Sequence, residues 1–209
     1  MIHLSKLILN PRNPGARRDA AVPYEMHRTL LRGFGPVAPD GNRLLFRVDH
    51  SRYSDEVGIP VIVQSSPYPV DWTFLKSMGD YAVAVEQKEV RMKLNSGMVA
   101  AFRLAANPTV KRGGKRQPLL REEDQLQWLE RKAAVAGFSV LHVVCSPYRT
   151  RSPRRQGSSY DKSDIPHFGV RFDGILQVSD PLRLVENIKA GIGPAKGFGF
   201  GLLSLGAAV

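Results

Sequence analysis

Residues 122–145 read EEDQLQWLERKAAVAGFSVLHVVC. Three acids, Glu122, Glu123 and Asp124, crowd the start, where the positive end of a helix dipole favours them. Leu126, Leu129 and Ala133 then recur on one helical face, and Gly137 supplies the stop. The spacing predicts a helix over 122–136, followed by a strand over the apolar run Phe138–Cys145. The pattern extends in both directions. Upstream, Met98, Ala100, Phe102 and Leu104 alternate with their neighbours, as a half-buried strand does. Downstream, Phe168, Val170 and Phe172 alternate again. Asp180-Pro181 pairs a capping side chain with proline at the first helical position and opens a helix to Lys189. A last apolar strand, Leu202–Leu205, closes the chain. The order is β-α-β-β-α-β.

The first half repeats that order. Ile2–Leu9 reads as a strand stopped by Asn10-Pro11. Residues 10–23 read as a basic, proline-containing connection. Pro23 suits the first turn of a helix, and Met26 and Leu30 share a face over Tyr24–Leu31. Strands follow at Leu44–Val48 and Val61–Val63. Asp71 reads as the cap of a helix that runs through Met78 and is closed by Gly79. Tyr81–Val85 reads as the fourth strand. Two such units predict an α+β protein of tandem ferredoxin-like (RRM-like) domains with antiparallel sheets. The boundary is expected near 87–96, giving domains 1–90 and 91–209. A single mixed α/β domain is the alternative.

The chain has 209 residues, 43% of them hydrophobic, enough to bury a sizeable core. Its formal charge of +11 points to a polyanionic partner, with nucleic acid ahead of an anionic membrane surface. There is one cysteine, Cys145, which excludes a disulfide framework and a cysteine-rich zinc site. Its place in an apolar run reads as a buried structural thiol. Five histidines, His3, His27, His50, His142 and His167, form no metal-binding pair. The acids are few and scattered, against a two-metal nuclease. No metal or cofactor motif is legible. The opening residues do not read as a signal peptide and no run is long enough for a membrane helix. A cytoplasmic protein with no membrane partner is expected.

The positive charge is clustered. Between Arg91 and Arg121 there are eight Lys or Arg and no acid. Lys111, Arg112, Lys115 and Arg116 flank Gly113-Gly114 in what reads as a basic loop. Between Ser146 and Tyr160 there are four arginines, Arg149, Arg151, Arg154 and Arg155, and again no acid. Arginine forks suit phosphates and guanine edges, and the flanking Tyr148 and Tyr160 can stack on bases. This segment, roughly 146–164, reads as a basic, turn-rich insertion. The alternative is solvated loops that only aid solubility. A glycine-rich loop, Gly191–Gly201, brings backbone amides and Lys196 within reach of phosphates, with Gly197 and Gly199 allowing close approach. It follows a helix and precedes a strand, so it is not a dinucleotide fingerprint.

Tyr24 and His27 stand at i and i+3 of the predicted helix, with Arg28 beside them. RNA carries its own nucleophile, the 2′-OH. One group must help deprotonate it, another must protonate the leaving 5′-oxygen, and cations steady the charged phosphate. An imidazole suits proton transfer near neutral pH, and a phenol can orient the 2′-OH. Read on the residues alone, an isolated tyrosine and histidine on a helix are usually just partly buried amphipathic residues.

Three stretches carry a resemblance: Leu7-Ile8-Leu9-Asn10-Pro11 with Arg17-Arg18; Pro23-Tyr24-Glu25-Met26-His27-Arg28-Thr29-Leu30; and Gly191 through Ser204. The sequence resembles, along its whole length, the CasE family of type I-E CRISPR systems, the endoribonuclease subunit of the Cascade complex. The resemblance implies tandem ferredoxin-like domains. It implies metal-independent cleavage at the 3′ base of the stem-loop in each CRISPR repeat, with the product retained as guide. Tyr24 and His27 match the family's catalytic pair, and 191–201 its glycine-rich loop. The family's stem-docking hairpin falls within 146–164, where Arg151, Arg154 and Arg155 are candidates on charge. Other Cascade subunits would be partners. The competing reading is a non-catalytic RNA-binding scaffold of the same ribonucleoprotein.

Overall fold

The computed structural model describes residues 1–36, 39–49, 58–156 and 159–208, with the side chains of 151–166 outside that description. The chain forms two compact units. The first comprises Met1–Arg91 with Thr150–Pro166 and Gly197–Gly199, and the second comprises Met92–Arg149, His167–Lys196 and Phe200–Val209.

In the first unit, strands β1 (Ile2–Leu9), β2 (Arg43–Val48), β3 (Ile59–Ser66) and β4 (Ala82–Val90) form one sheet in the order β2-β3-β1-β4. Every pairing is antiparallel. Helices α1 (Pro14–Ala21) and α2 (Pro23–Leu31) follow β1, and a 3-10 segment (Trp72–Met78) leads toward β4. Alternation sends Leu7, Leu9, Phe46, Val61 and Val63 to one face, where they pack with Ala16, Ala20, Met26 and Leu30 of the helices.

The second unit repeats the plan. Strands β5 (Val99–Ala106), β8 (Phe138–Gln156), β9 (Ser159–Val178) and β10 (Leu203–Gly206) lie in the order β10-β5-β9-β8. Helices α3 (Glu122–Ala136) and α4 (Pro181–Ala190) supply the crossovers. Strands β5, β9 and β10 pair antiparallel. Strand β8 is the neighbour of β9 at the edge of this sheet. Both units are ferredoxin-like βαββαβ folds with antiparallel sheets. No helix among the described residues is long and apolar enough to cross a membrane.

Four local expectations are corrected. The segment read as a connection, 10–23, contains α1. Asn13 caps that helix, its side chain accepting from the Ala16 amide, and Pro14 occupies the first turn. The basic loop at 111–116 is a two-stranded hairpin, β6 (Thr109–Arg112) and β7 (Lys115–Pro118). Gly113 and Gly114, at φ of 54° and 77°, make the tight turn that only residues tolerant of positive φ allow. The insertion at 146–164 is not turn-rich in its described part, because the arms of β8 and β9 run through it. The 72–78 helix is 3-10 throughout, where Ser77 donates its hydroxyl to the Phe74 carbonyl at 2.7 Å in competition with α-helical pairing. Two smaller differences concern burial. The inward face of α3 centres on Gln125, Trp128, Leu129 and Ala133, with Leu126 only half-buried. Cys145 is half-buried as well, and burial raises its thiol pKa.

Gly174 of β9 lies against β8. A Cβ there would run into the His142 carbonyl oxygen and come within 2.9 Å of the Val143 Cα, both backbone atoms of the neighbouring strand. Gly174→Ala is therefore expected to destabilise the protein by about 1–3 kcal/mol, the usual cost of overpacking. Urea unfolding monitored by circular dichroism measures it, and an unchanged midpoint would show that the two strands part without cost.

Candidate active site

Helix α2 follows α1 with no linker. Val22, extended at φ −119° and ψ 94°, is both the last cap of α1 and the first cap of α2, and Pro23 presets the first helical φ. Met26 and Leu30 bury fully against the sheet. Tyr24 and His27 flank this apolar stripe and are each half-buried. They are the pair singled out from sequence, and the helix brings them to one side as i, i+3 neighbours.

Gly197–Gly199 of the glycine loop, which belong to the same unit, supply the opposite wall. The Tyr24 ring stacks on Phe198 with centroids 6.3 Å apart. The His27 imidazole stacks on Phe46 of β2 at 6.1 Å and 17° between planes. Gly197 sits so close that an added Cβ would lie 3.4 Å from His27 Cδ2 and 3.5 Å from Nε2. Gly199, at φ 80°, presses on Phe46, where a Cβ would meet Cε2 at 3.2 Å. The glycines expected to approach RNA therefore also let the loop close over the histidine.

His27 Nδ1 is buried and has no hydrogen-bond partner among the described residues. Burial lowers the imidazole pKa below its ordinary 6.5. Nδ1 is enclosed on the protein side, so any proton exchanged with a ligand passes through Nε2. Arg28 lies on the exposed side of α2 and pairs with Glu25 at 3.3 Å. Arg32, one turn on, stands over the Phe74 ring at 5.2 Å.

Sequence reading missed the support beneath this helix. Asp19 of α1 is completely buried. Its carboxylate accepts from Arg18, from the Thr29 hydroxyl of α2 at 2.6 Å and from the Tyr81 hydroxyl at 2.8 Å. Burial, then the adjacent Asp19 charge, drives the Tyr81 pKa far above the phenol range. Asn13-Pro14 is the one local signal that could have announced α1 in a segment read as a connection, and nothing local announces the partners at 29 and 81.

The remaining candidates lie in the second unit or outside the described side chains. Lys111, Arg112, Lys115 and Arg116 are exposed on the β6–β7 hairpin. The register places Lys111 opposite Arg116 and Arg112 opposite Lys115. Like charges directly opposite destabilise a ribbon, and a polyanion would relieve them. Arg149 is exposed on β8, and Lys196 is half-buried in the glycine loop. The backbone at Arg151, Arg154 and Arg155 belongs to β8, and their side chains lie outside the described residues. Among the described residues no group of three or more His, Cys, Asp or Glu is placed to hold a metal ion.

The buried histidines set a pH dependence. An unfolded histidine titrates near 6.5, while burial depresses folded His27 and, in the second unit, His167. Between those values the unfolded chain binds more protons. The associated stability is therefore complete above about pH 6.5 and is lost as pH falls through the folded values. The His27 ring-carbon NMR signal is expected to titrate with a midpoint below 6.5. The drop in urea midpoint between about pH 7.5 and about pH 5 should shrink in His27→Gln. An equal drop in the variant would show that His27 is not penalised by burial.

Comparison with known proteins places this geometry in a family. A family model described as "CRISPR associated protein" matches residues 2–206. The CRISPR-associated endoribonuclease Cse3 of Thermus thermophilus is 34% identical over 212 residues, covering 97% of this chain and 98% of that protein. The CRISPR system Cascade subunit CasE of Escherichia coli is 33% identical, covering 98% of each. A solved structure of the CRISPR endoribonuclease Cse3 bound to a 19-nucleotide RNA superposes with a TM-score of 0.87 at 36% identity, covering 98% of this chain and 99% of that one. On sequence along nearly its full length and on fold alike, the chain belongs to the CasE family of CRISPR-associated proteins.

Proposed function

We propose that this chain is a metal-independent endoribonuclease that cuts CRISPR precursor RNA at the 3′ base of the repeat stem-loop. It then keeps the product as the guide of a Cascade-type complex in the cell interior. The observation that carries this reading is the pairing of Tyr24 and His27 on one side of α2, beneath a glycine loop, in a chain related end to end to a named CRISPR endoribonuclease. The E. coli relative is named as a Cascade subunit, which supports the same assembly here.

The chemistry balances with these groups alone. The 2′-oxygen attacks the adjacent phosphorus as its proton leaves, with the Tyr24 phenol aligning or deprotonating it. The bond from phosphorus to the 5′-oxygen breaks, and His27 delivers a proton to that oxygen through Nε2. A 2′,3′-cyclic phosphate and a 5′-OH result. Backbone amides of the loop around Gly197 and Gly199, with Arg28, are the groups assigned to the phosphate charge, and Lys196 of the second unit is assigned to RNA binding. The nucleophile comes from the RNA, so no metal-bound water is required. The basic hairpins, with Lys111, Arg112, Lys115, Arg116, Arg149, Arg151, Arg154 and Arg155, are assigned to the RNA backbone and stem. A-form RNA is read largely by its shape and phosphates.

Purified protein incubated with its host's repeat RNA in excess EDTA is expected to cleave, while a substrate with one 2′-deoxy substitution at the cut site stays intact. His27→Ala should lose about 100-fold or more in single-turnover rate, the typical worth of a positioned acid or base. Its RNA affinity should be unchanged. With His27 as proton donor, the rate should fall as pH rises past the histidine midpoint in the complex. A rate that falls only on the acid side would make His27 the base. Tight binding without cleavage by the wild-type protein would leave the scaffold reading in its place.

Replacing Lys111, Arg112, Lys115 and Arg116 together by alanine should weaken binding at low salt. It should also reduce the slope of log affinity against log salt by roughly 3, close to one unit per lost phosphate contact. An unchanged slope would remove the hairpin from the RNA interface.

A further inference from the structure

Asp19 is 0% exposed, and both carboxylate oxygens are occupied. Oδ1 accepts from Arg18 Nε at 2.8 Å and Nη2 at 2.7 Å, and Oδ2 accepts from Thr29 at 2.6 Å and Tyr81 at 2.8 Å. A buried charge is a poor means of raising stability, because desolvation consumes much of what pairing returns. What such a group supplies is direction. Its hydrogen bonds are angle-dependent, whereas the apolar contacts of Met26 and Leu30 tolerate sliding.

The need for direction arises from α2 itself. The helix is nine residues long and its first cap, Val22, makes no side-chain hydrogen bond. Thr29 lies two residues beyond His27, on roughly the opposite side of the helix at about 100° per residue. A helix held at Thr29 cannot roll without moving His27. A roll of about 10° shifts a side-chain tip about 6 Å from the axis by about 1 Å. A misplacement of that size can cost about 100-fold in rate.

We infer that Asp19, acting through Thr29, is a positioning residue that sets the roll of α2 and so aims His27 and Tyr24 at the RNA. The inference rests on the nuclease reading of those two side chains. Arg18 and Tyr81 hold the carboxylate in place. Of the three donors Thr29 is the one on the catalytic helix, and the Tyr81 hydroxyl meets it as well as Asp19.

Three variants test it, each read by single-turnover cleavage of the host's repeat hairpin RNA, by affinity for that RNA and by the NMR ring signals of His27. Thr29→Val keeps the shape and deletes the hydrogen bond. It is expected to bind RNA within about twofold of wild type, to cleave at least about tenfold more slowly and to displace the His27 signals. Thr29→Ser restores the hydroxyl and should recover both the rate and the signals. Tyr81→Phe deletes a hydrogen bond to the same oxygen, and the contact of its hydroxyl with Thr29, but leaves the Thr29–Asp19 bond itself in place. Its melting temperature should fall while its rate stays within about threefold of wild type. Should Thr29→Val not fold, Thr29→Ala, which adds no atoms, takes its place. A folded Thr29 variant with wild-type rate and unmoved ring signals overturns the inference. So does a Tyr81→Phe rate loss equal to that of Thr29→Val, which would reduce the network to general stability. If the wild-type protein itself fails to cleave, the nuclease reading falls. The His27 signals then still decide whether Thr29 holds the helix.

Discussion

The carboxylate of Asp19 sits beyond the reach of water, satisfied by Arg18 on α1, Thr29 on α2 and Tyr81 beside β4. Burying a charge in this way is tolerable only when donors surround it. The geometry of α1, α2 and the start of β4 is thereby made mutually dependent. A second carboxylate does similar work nearby, as Asp80 accepts from Asn10 and Asn13 and so holds the turn between β1 and α1. The short helix carrying Tyr24 and His27 then leaves the sheet at a defined angle.

The glycines of the 191–201 loop complete the site by what they lack. Gly197 brings backbone to the His27 ring at van der Waals distance, and at Gly199 a Cβ would lie 3.2 Å from Phe46, so that a larger residue there would need the ring to give. Glycine also allows the positive φ found at Gly193, Gly199 and Gly201. The result is a histidine with one nitrogen enclosed, the Phe46 ring stacked on it and the Gly197 backbone close by. That enclosure lowers its pKa in the absence of RNA. The negative charge of a phosphate bound beside it would act in the opposite direction.

The excess positive charge is distributed to match. The β6–β7 hairpin sets lysine and arginine opposite one another on both of its faces. An isolated two-stranded ribbon gains nothing from such repulsion. The arrangement makes sense for a partner that brings a regular series of negative charges, which a folded RNA does. The Asp173 carboxylate shows the contrast. On the second sheet it is bracketed by Arg103 and Arg171, so cations there are neutralised within the protein.

Local sequence determined much of this protein. Period-2 and period-3.6 patterns, with caps at Asp180 and stops at Gly137, marked both βαββαβ units, because such signals act within a few residues. The i, i+3 relation of Tyr24 and His27 was legible for the same reason, and the family resemblance lent it meaning. The short-range signals that were under-read, Asn13-Pro14 before α1 and Gly113-Gly114 between β6 and β7, lay in stretches dominated by charge, which masked their turn chemistry. Tertiary structure decided the rest. It brought Phe46 and Gly197, distant in sequence, against His27, and Tyr81 and Thr29 onto Asp19. No periodicity encodes those meetings. They follow from sheet register and from the requirement that every buried polar group find a partner, and both are properties of the folded chain as a whole.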